Sequence, residues 1–296
     1  MQKNENTIVY KVNKELKLEE ILRNNLNFSG RLFRKLYKRK LIKVNDKYVN
    51  KRKLCSKGDI IKITMEDEKN VYTPKYIPLD IVYEDFDILI INKEPNIVVH
   101  PSKSNNNNTL ANGIAYYFKE NNINKKVRLV NRLDMNTSGL LVVAKNPFGH
   151  QQMALQFEKK SVKKTYLALV KGNFQIKSGT IDKPIGKDKM NPIKNIVSKD
   201  GKESITKYKV LKSYKDLSLL EVEIITGRTH QIRVHLDYIN HPIIGDTLYN
   251  ESSELIKRQA LHSYSLTFNK PRTNQNLKIK AKLPTDMDKV IKYYKK

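Results

Sequence analysis

The spacing of hydrophobic residues predicts a small unit of short helices and strands at the start of the chain. Apolar residues recur at helical spacing over residues 16–26 and again over 30–41, so we predict two amphipathic helices there. Ser29 precedes the second helix and is placed to cap it. Two alternating runs over residues 42–49 predict a hairpin, and residues 58–63 predict another strand. The order of these elements indicates a small α/β unit.

A polar stretch with two prolines, around residues 66–79, is typical of a linker and separates this unit from a longer, strand-rich region. Alternating or continuous apolar runs there predict strands at 81–84, 87–92, 139–144, 164–170, 220–224 and 277–283, with helices at 109–121, 148–161 and 230–240. Residues 173–204 are rich in Lys, Gly and Pro, and we expect a loop, with or without a short hairpin. The predicted fold class is α+β, with a mainly antiparallel mixed sheet and flanking helices. We place the boundaries at residues 1–70, 71–80 and 81–296.

Positive charge is concentrated in the N-terminal unit. The chain has 57 Lys and Arg against 30 Asp and Glu, a formal net charge of +27. Residues 31–57 hold twelve of the basic residues and one acid. Opposite the apolar face of the second predicted helix lie Arg31, Arg34, Lys35 and Lys38. A base composition that favours lysine codons explains part of the surplus but not this clustering, so we predict contact with RNA or DNA.

Several classes of function lack support in the sequence. Cys55 is the single cysteine, which excludes an intramolecular disulfide and disfavours a thiolate zinc site. Apolar runs do not approach ~20 residues, so we expect no membrane span. The polar N-terminus and the cysteine content favour a cytoplasmic protein. Glycine-rich phosphate loops and metal-binding motifs are missing, and we expect neither a metal nor a nucleotide cofactor. His230 and His235 lie about 140° apart on a helix, which favours structural roles for both.

Three segments place polar residues in otherwise apolar or glycine-bounded surroundings. In residues 130–139, Asp134 stands just before a predicted core strand, where it is either held for chemistry or is a turn carboxylate that accepts local backbone bonds. In residues 164–170, Tyr166 is either a core residue or a functional one. In residues 226–236, Arg228 lies at a strand-to-helix junction.

Taken in order, these segments resemble the signature of the RluA/RluD-type pseudouridine synthases. Residues 132–141 match the family's His-Arg-Leu-Asp-x-x-Thr-Ser-Gly-Leu-Leu element. Lys164, Tyr166 and Ala168 match its Lys-x-Tyr-x-Ala strand, and residues 226–235 match its Thr-Gly-Arg-x-His-Gln-Ile-Arg-x-His element. The resemblance covers about residues 80–285, and residues 16–64 are similar to the S-four-like RNA-binding domain that often precedes this catalytic domain. The chain departs from the family at Asn131, where the family usually has His.

The resemblance implies that the glycosidic bond of a uridine is broken at nitrogen 1 and remade at carbon 5, with no cofactor. Asp134 would be the catalytic carboxylate, and Arg228 the guanidinium that keeps it ionised in a dry pocket. Tyr166 would stack on the uracil and help to remove the proton from carbon 5. Arg132 would fill the space that the target base vacates in the RNA.

The resemblance also bears on the partner. Ribosomal RNA of the large subunit is the expected substrate, because the S-four-like domain occurs often in such members of the family. Transfer RNA is the alternative substrate, and a non-catalytic RNA-binding factor in ribosome assembly is the alternative function. We expect a monomer, with Arg31, Arg34, Lys35 and Lys38 in contact with RNA phosphates.

Overall fold

The computed structural model describes residues 6–101 and 108–295. The first part of the chain forms short elements around a core of its own. In chain order they are β1 (Thr7–Lys11), β2 (Leu16–Lys17), α1 (Leu18–Glu20), a π-helical turn (Ile21–Asn25), α2 (Gly30–Lys38), β3 (Ile42–Val44), β4 (Leu54–Cys55) and β5 (Ile60–Thr64). β5 lies between β1 and β3 in an antiparallel three-stranded sheet, and β2 pairs with β4.

The first predicted helix is shorter and less regular than its periodicity indicates. Its first two residues pair as β2, and only α1 is α-helical before the π-helical turn begins. The backbone N–H of Leu26 donates to the carbonyl of Ile21 at 3.1 Å, five residues back, so the turn is wider than an α-turn. Periodicity locates the buried face of this segment, but it does not distinguish an α-turn from a π-turn.

Helix α2 follows the predicted pattern. Ser29 caps it, with its hydroxyl accepting the backbone N–H of Leu32 at 3.2 Å. Its buried side holds Leu32, Phe33 and Leu36. On the exposed side lie Arg31, Arg34, Lys35 and Lys38.

The remainder of the chain is built around one large sheet. Its elements, in chain order, are β6 (Asp80–Glu84), β7 (Ile88–Lys93), α3 (Leu110–Glu120), β8 (Arg128–Leu129), β9 (Ser138–Ala144), α4 (Pro147–Glu158), β10 (Lys163–Lys171), β11 (Ser178–Asp182), β12 (Ile185–Lys187), β13 (Asn195–Val197), β14 (Ile205–Ser213), β15 (Leu217–Ile224), α5 (Gln231–Tyr238), β16 (Leu261–Asn269), β17 (Asn276–Lys280) and α6 (Thr285–Tyr293). The sheet has ten strands in the order β11-β14-β15-β10-β16-β9-β7-β6, with β8 beside β9 and β17 beside β16.

This sheet confirms the predicted fold class. In the described part of the chain its strand pairs are antiparallel except for β9 with β16. β9 is buried along its whole length, because Leu141 and Val143 enter one apolar cluster while Leu140 and Val142 enter another on the opposite face. Burial on both faces explains why this strand is a continuous apolar run rather than an alternating one.

The parallel contact between β9 and β16 depends on Gly139. This residue has a φ of +109°, and a Cβ atom there would lie 2.3 Å from the carbonyl oxygen of Ser263. Because only glycine tolerates both the conformation and the approach, Gly139 lets β9 cross close to β16. Residues 130–138, which contain Asp134, lead directly into this fixed point.

The region expected to be a loop, residues 173–204, is more ordered than predicted. It contributes the edge strand β11, which pairs with β14, and the hairpin of β12 and β13. In β11 only Ile181 is buried. The strand therefore has no alternation of apolar and polar residues from which it could be predicted. In the described part of the chain, none of the helices combines the length and the apolar character that crossing a bilayer requires.

The N-terminal unit contacts the large sheet region directly. Phe148 of α4 packs into the apolar cluster of the N-terminal unit, with its ring 5.1 Å from that of Phe28. Glu68, in the predicted linker, forms ion pairs with Lys35 at 3.5 Å and with Arg128 at 2.6 Å. The polar stretch between the two regions is therefore bound to both of them.

Candidate active site

The three polar segments meet around one pocket of about 210 Å³. The loop before β9 contributes Asp134, and the middle of β10 contributes Tyr166. The start of α5 and the residues before it supply the remaining wall. The charged or titratable side chains that line the pocket are Arg132, Asp134, Tyr166, Arg228, His230 and Arg233. Four residues that the sequence analysis proposed for the site therefore line one cavity, namely Arg132, Asp134, Tyr166 and Arg228.

Asp134 is half-buried, with 23% of its side chain exposed. Its main-chain carbonyl accepts the N–H of Thr137 at 3.1 Å and closes a turn. Its carboxylate oxygen Oδ2 accepts a bond from Nη1 of Arg233 at 3.1 Å, across 99 positions of sequence. The turn thus uses the main chain of Asp134, while the carboxylate faces a distant guanidinium at the pocket.

Arg233 links two carboxylates. Its Nε and Nη2 donate to Asp246 at 2.6 and 2.7 Å, while its Nη1 donates to Asp134. Burial works to lower the pKa of Arg233, but the hydrogen bonds and charges of Asp246 and Asp134 raise it. The planar fork of the guanidinium therefore stays cationic and has a fixed direction, because its other two nitrogens are held by Asp246.

Arg228 does not occupy the position predicted for it. Its side chain is exposed at the pocket, and its Nε donates to the carbonyl of Glu203 at 3.1 Å. The prediction that Arg228 lies beside Asp134 is wrong, because Arg228 stands on the exposed junction before α5. Arg233 is buried within that helix and reaches the carboxylate instead.

Tyr166 lies in the centre of the sheet, with Cα partners on both β15 and β16. Burial raises the pKa of its hydroxyl to about 12, a hydrogen bond with Ser263 opposes that rise, and the charge of Asp134 adds to it. At neutral pH the phenol is therefore protonated. Tyr166 presents an apolar ring to the pocket together with a hydroxyl that can donate a hydrogen bond.

The histidine in α5, His235, and the histidine just before it, His230, have different surroundings. His235 is fully buried, with its ring nitrogens 2.8 Å from Thr206 Oγ1 and 2.9 Å from the carbonyl of Lys183. His230 lines the pocket, and its Nε2 lies 3.9 Å from Oδ2 of Asp134. Within residues 6–101 and 108–295, we find no group of three or more His, Cys, Asp or Glu that could hold a metal ion.

The loop that carries Asp134 is fixed by two buried basic side chains, Lys93 and Arg258. Nζ of Lys93 donates to the carbonyl of Met135 at 2.8 Å, and burial lowers the pKa of this amine to about 7. Nη1 of Arg258 donates to the carbonyl of Asn136 at 3.2 Å, while its Nε and Nη2 bind Asp286 of α6 at 2.7 and 2.9 Å. Two consecutive carbonyls after Asp134 are thereby held in place.

The remaining predicted site residues lie at or beyond the edge of the pocket. Arg132 is exposed and lines it. Asn131 stands where the family usually has His. Its Oδ1 accepts the N–H of Val142 at 2.8 Å, so this side chain is bonded to the core strand β9. The four basic residues of α2 are exposed on another element, and none of these described side chains lines the pocket.

Comparison with known proteins decides the family. Residues 87–238 match the model of the RNA pseudouridylate synthase family. The chain belongs to the RNA pseudouridine synthases. It is 40% identical, over 94% of its length and 93% of the relative's, to the uncharacterized RNA pseudouridine synthase YhcT of Bacillus subtilis. It is 41% identical to the ribosomal large subunit pseudouridine synthase D of Borreliella burgdorferi, over 71% of this chain and 68% of that one.

A solved structure gives the same result for the fold. The human RNA pseudouridylate synthase domain containing 1 superposes with a TM-score of 0.60 at 26% identity, covering 74% of this chain and 95% of that one. This pseudouridine synthase is therefore an isomerase that acts on RNA.

Sequence reasoning missed four residues around this pocket. Arg233 lies in a recognised segment and inside the predicted helix of residues 230–240, whereas Arg228 precedes that helix, and this difference in position was the signal that could have separated the two. His230 was assigned a structural role from its spacing to His235 alone. Lys93 and Arg258 carry no local signal, because their partners in the loop after Asp134 are far away in sequence.

Proposed function

We propose that this synthase isomerises specific uridines of large-subunit ribosomal RNA and that Asp134 is its catalytic carboxylate. The observation that carries the proposal is the position of Asp134: its carboxylate is at the pocket, held by Arg233 rather than by the backbone of its own turn. The ribosomal substrate is supported by relatives named ribosomal large subunit pseudouridine synthase D at 34–41% identity.

The pocket suits a flipped uracil. The target base must leave its stack before the carboxylate can reach it, which costs a few kcal/mol. The ring of Tyr166 offers an apolar surface for the base, and Arg132 is placed at the exposed edge, where its guanidinium can occupy the vacated space in the RNA. Arg233 balances the charge of Asp134 in a site from which bound RNA excludes water.

Arg228 keeps a role in this proposal, but not the one expected from sequence. Its exposed guanidinium lines the pocket and is bound through Nε to the carbonyl of Glu203. Because the carboxylate of Asp134 is bound by Arg233 instead, we assign Arg228 to the RNA backbone next to the flipped nucleotide. A guanidinium suits that task because it can bind a phosphate with two parallel hydrogen bonds.

The N-terminal region, residues 1–70, is proposed as an RNA-binding domain joined through 71–80 to a catalytic domain of 81–296. The basic face of α2, which we define as Arg31, Arg34, Lys35 and Lys38, supports this role because it is exposed. Such a face provides sequence-independent phosphate contacts that orient the RNA. We also propose that the enzyme acts as a monomer in the cytoplasm, which agrees with an RNA substrate and with the free cysteine Cys55.

The variant Asp134→Asn tests the catalytic assignment. It keeps the shape of the side chain and removes the negative charge, so we expect pseudouridine formation to fall to background while thermal stability and RNA affinity change little. Single-turnover tritium release, a melting curve and a filter-binding titration measure the three quantities. If Asp134 served only its turn, Asn would be a good replacement and the variant would stay active; turnover above a trace from deamidation would reject the proposal.

The substrate is tested separately by mapping pseudouridines in ribosomal and transfer RNA from a strain that lacks the gene. We expect specific sites to disappear from the large-subunit RNA and to return on complementation. Loss confined to transfer RNA would overturn the ribosomal assignment and leave the catalytic one intact.

A further inference from the structure

The pocket must contain a group that accepts the proton of carbon 5, and the expected group is poorly suited to the task. An isomerisation of uridine to its carbon-linked form removes one proton from carbon 5. Tyr166, the residue expected to help, is buried with its pKa raised to about 12, so it is protonated at neutral pH. A phenol that still holds its proton is a very weak base, because a second proton would leave its oxygen positively charged.

The other side chains of the pocket narrow the choice. Of the six titratable or charged residues that line it, three are arginines, and a guanidinium does not accept protons near neutral pH. Asp134 is paired with Arg233 and already serves as the proposed catalytic carboxylate. The remaining group with a nitrogen lone pair is the imidazole of His230.

The hydrogen bonds around His230 determine which of its nitrogens carries that lone pair. The hydroxyl of Tyr249 donates to the carbonyl of Asn195 at 3.1 Å and accepts the N–H of the same residue at 2.9 Å. Nδ1 of His230 lies 3.1 Å from this hydroxyl. We assign the hydroxyl proton to the carbonyl of Asn195, which makes Nδ1 the donor to the hydroxyl oxygen and puts the lone pair on Nε2.

The charges that face His230 leave it neutral. Burial lowers the pKa of its imidazole, Asp134 and Asp246 oppose that change, and Arg233 and Lys187 add to it, with a net lowering below the usual value. The backbone of His230 is in the left-handed region, with a φ of +58°, which directs its ring toward Tyr249 and the pocket from the start of α5. Holding a non-glycine residue there has an energetic cost that is typical of functional sites.

We propose that His230, through Nε2, is the base that removes the proton from carbon 5 in this synthase. The inference rests on the proposed function, since it requires the uracil to lie against Asp134. Nε2 of His230 is 3.9 Å from Oδ2 of that carboxylate. A uracil ring that lies against Asp134 is therefore within reach of both side chains.

The step balances without any co-reactant. Once C1′ is joined to carbon 5, that carbon is tetrahedral and the ring has a C6–N1 double bond. Nε2 takes the proton, the electron pair of the C5–H bond forms the C5–C6 double bond, and the C6–N1 pair moves to N1. N1 then takes up a proton, which the imidazolium returns directly or through water, so proton and electron counts are unchanged.

The variant His230→Asn is the sharpest test. Asn places an amide where Nδ1 lies, tolerates the left-handed backbone, and leaves the position of Nε2 empty. The full-length variant is assayed under single-turnover conditions on large-subunit ribosomal RNA transcripts that carry protium or deuterium on carbon 5 of uridine. We expect the rate to fall ~10²-fold or more, the deuterium isotope effect to exceed that of the wild type, and added imidazole to restore part of the rate.

Three other variants separate this role from a structural one. His241→Gln alters an imidazole that stacks on Phe174 away from the pocket, and we expect wild-type rates. Tyr249→Phe removes the acceptor for Nδ1 but keeps the imidazole, so a smaller loss with a raised isotope effect is expected. Tyr166→Phe is expected to slow the reaction without raising the isotope effect.

An unchanged isotope effect in His230→Asn with no rescue by imidazole would overturn the proposal. A raised isotope effect in Tyr166→Phe instead would assign the proton to Tyr166. The wild-type enzyme is first assayed on ribosomal and transfer RNA transcripts, and the RNA that it modifies is used throughout. A wrong substrate assignment, or an active Asp134→Asn variant, is therefore detected independently of the result for His230.

Discussion

Two regions of this synthase use positive charge in opposite ways. At the pocket, Arg233 is buried and its guanidinium is shared between Asp134 and Asp246. On the basic face of α2 the cationic side chains are exposed, and Lys35 forms an ion pair with Glu68 at 3.5 Å. The first arrangement fixes the direction of the Arg233 guanidinium, whereas the second exposes several positive charges to the solvent.

The difference determines what a substitution does in each region. Removing a buried, doubly paired cation leaves carboxylates without a partner in a poorly solvated place, which costs several kcal/mol. Removing an exposed cation changes little within the protein, and its effect is carried by long-range attraction that salt screens. The proposed chemistry at the pocket therefore depends on geometry, and the proposed RNA binding at α2 depends on the number of charges.

The largest effect is expected from Arg233→Lys compared with Arg228→Lys. Lysine keeps the charge but cannot bridge two carboxylates with a planar fork, so we expect the single-turnover rate of Arg233→Lys to fall ~10²-fold or more. Arg228→Lys should weaken RNA binding and leave the rate at saturating RNA nearly unchanged. Quenched-flow pseudouridine formation over a range of RNA concentrations measures both.

A melting curve for each variant shows whether Arg233→Lys remains folded, and rates are compared only at temperatures where it does. The reverse pattern, with the rate lost in Arg228→Lys and kept in Arg233→Lys, would mean that RNA binding rearranges the pair and that Arg228 holds the carboxylate in the complex.

A second effect, on stability rather than on rate, is expected at His262, which is bonded to Ser138 after the loop that carries Asp134. Burial lowers the pKa of this imidazole from 6.5 to about 4, and its Nδ1 lies 2.9 Å from Oγ of Ser138. The native state keeps the ring of His262 neutral, whereas the unfolded chain takes up a proton below pH 6.5. The contribution of His262 to the free energy of unfolding is therefore complete above pH 6.5 and is lost as the pH falls toward 4. The shift corresponds to about 3 kcal/mol at 1.36 kcal/mol per pKa unit.

Urea unfolding of the wild type and of His262→Asn at several pH values between 7 and 4 measures this contribution. Asn can keep the bond to Ser138 but does not titrate, so its free energy of unfolding should fall less over that range. Parallel curves for the two proteins would place the acid sensitivity in other groups.

The smallest effect on chemistry is expected at α2. Replacing Arg31, Arg34 and Lys38 with Gln should lower the slope of log affinity against log salt by about 0.7–0.9 for each RNA phosphate that the protein no longer neutralises. The rate at saturating RNA should stay unchanged, because no pocket residue is altered. Filter binding at several salt concentrations measures the slope.

The matched control replaces three exposed lysines of β14, namely Lys207, Lys209 and Lys212, with Gln. This set changes the net charge equally but leaves α2 intact. Equal slopes for the two triple variants would show that total charge, rather than the basic face of α2, determines binding.

The sequence predicted the elements whose signals are local. Helix α2 follows from its periodicity and from Ser29, and the buried strand β9 follows from its apolar run. Asp134 and Tyr166 were assigned to the site through the family resemblance of the segments that contain them. Their presence in one pocket is confirmed by the structure.

What the sequence did not predict depends on contacts between distant residues. The choice of Arg233 over Arg228 depends on a contact of Arg233 with Asp134 across 99 positions, and the support of the loop by Arg258 depends on a contact with Asn136 across 122 positions. Edge strands such as β11 were missed because they bury almost no apolar side chain. The spacing of hydrophobic residues indicates which face of one helix or strand is buried. It does not indicate which helices and strands contact each other.

The parallel contact at Gly139 and Ser263 has a consequence for the order of events during synthesis. Ser138 is bonded to His262 across 124 positions, so the loop with Asp134 is translated long before the residues that fix it. Long-range contacts of this kind form late, after the intervening chain is available. If α2 binds RNA as proposed, an unfinished chain that already presents its basic face would bind RNA before the loop with Asp134 is in place, and the proposed chemistry would begin only when the last strands and α6 are complete.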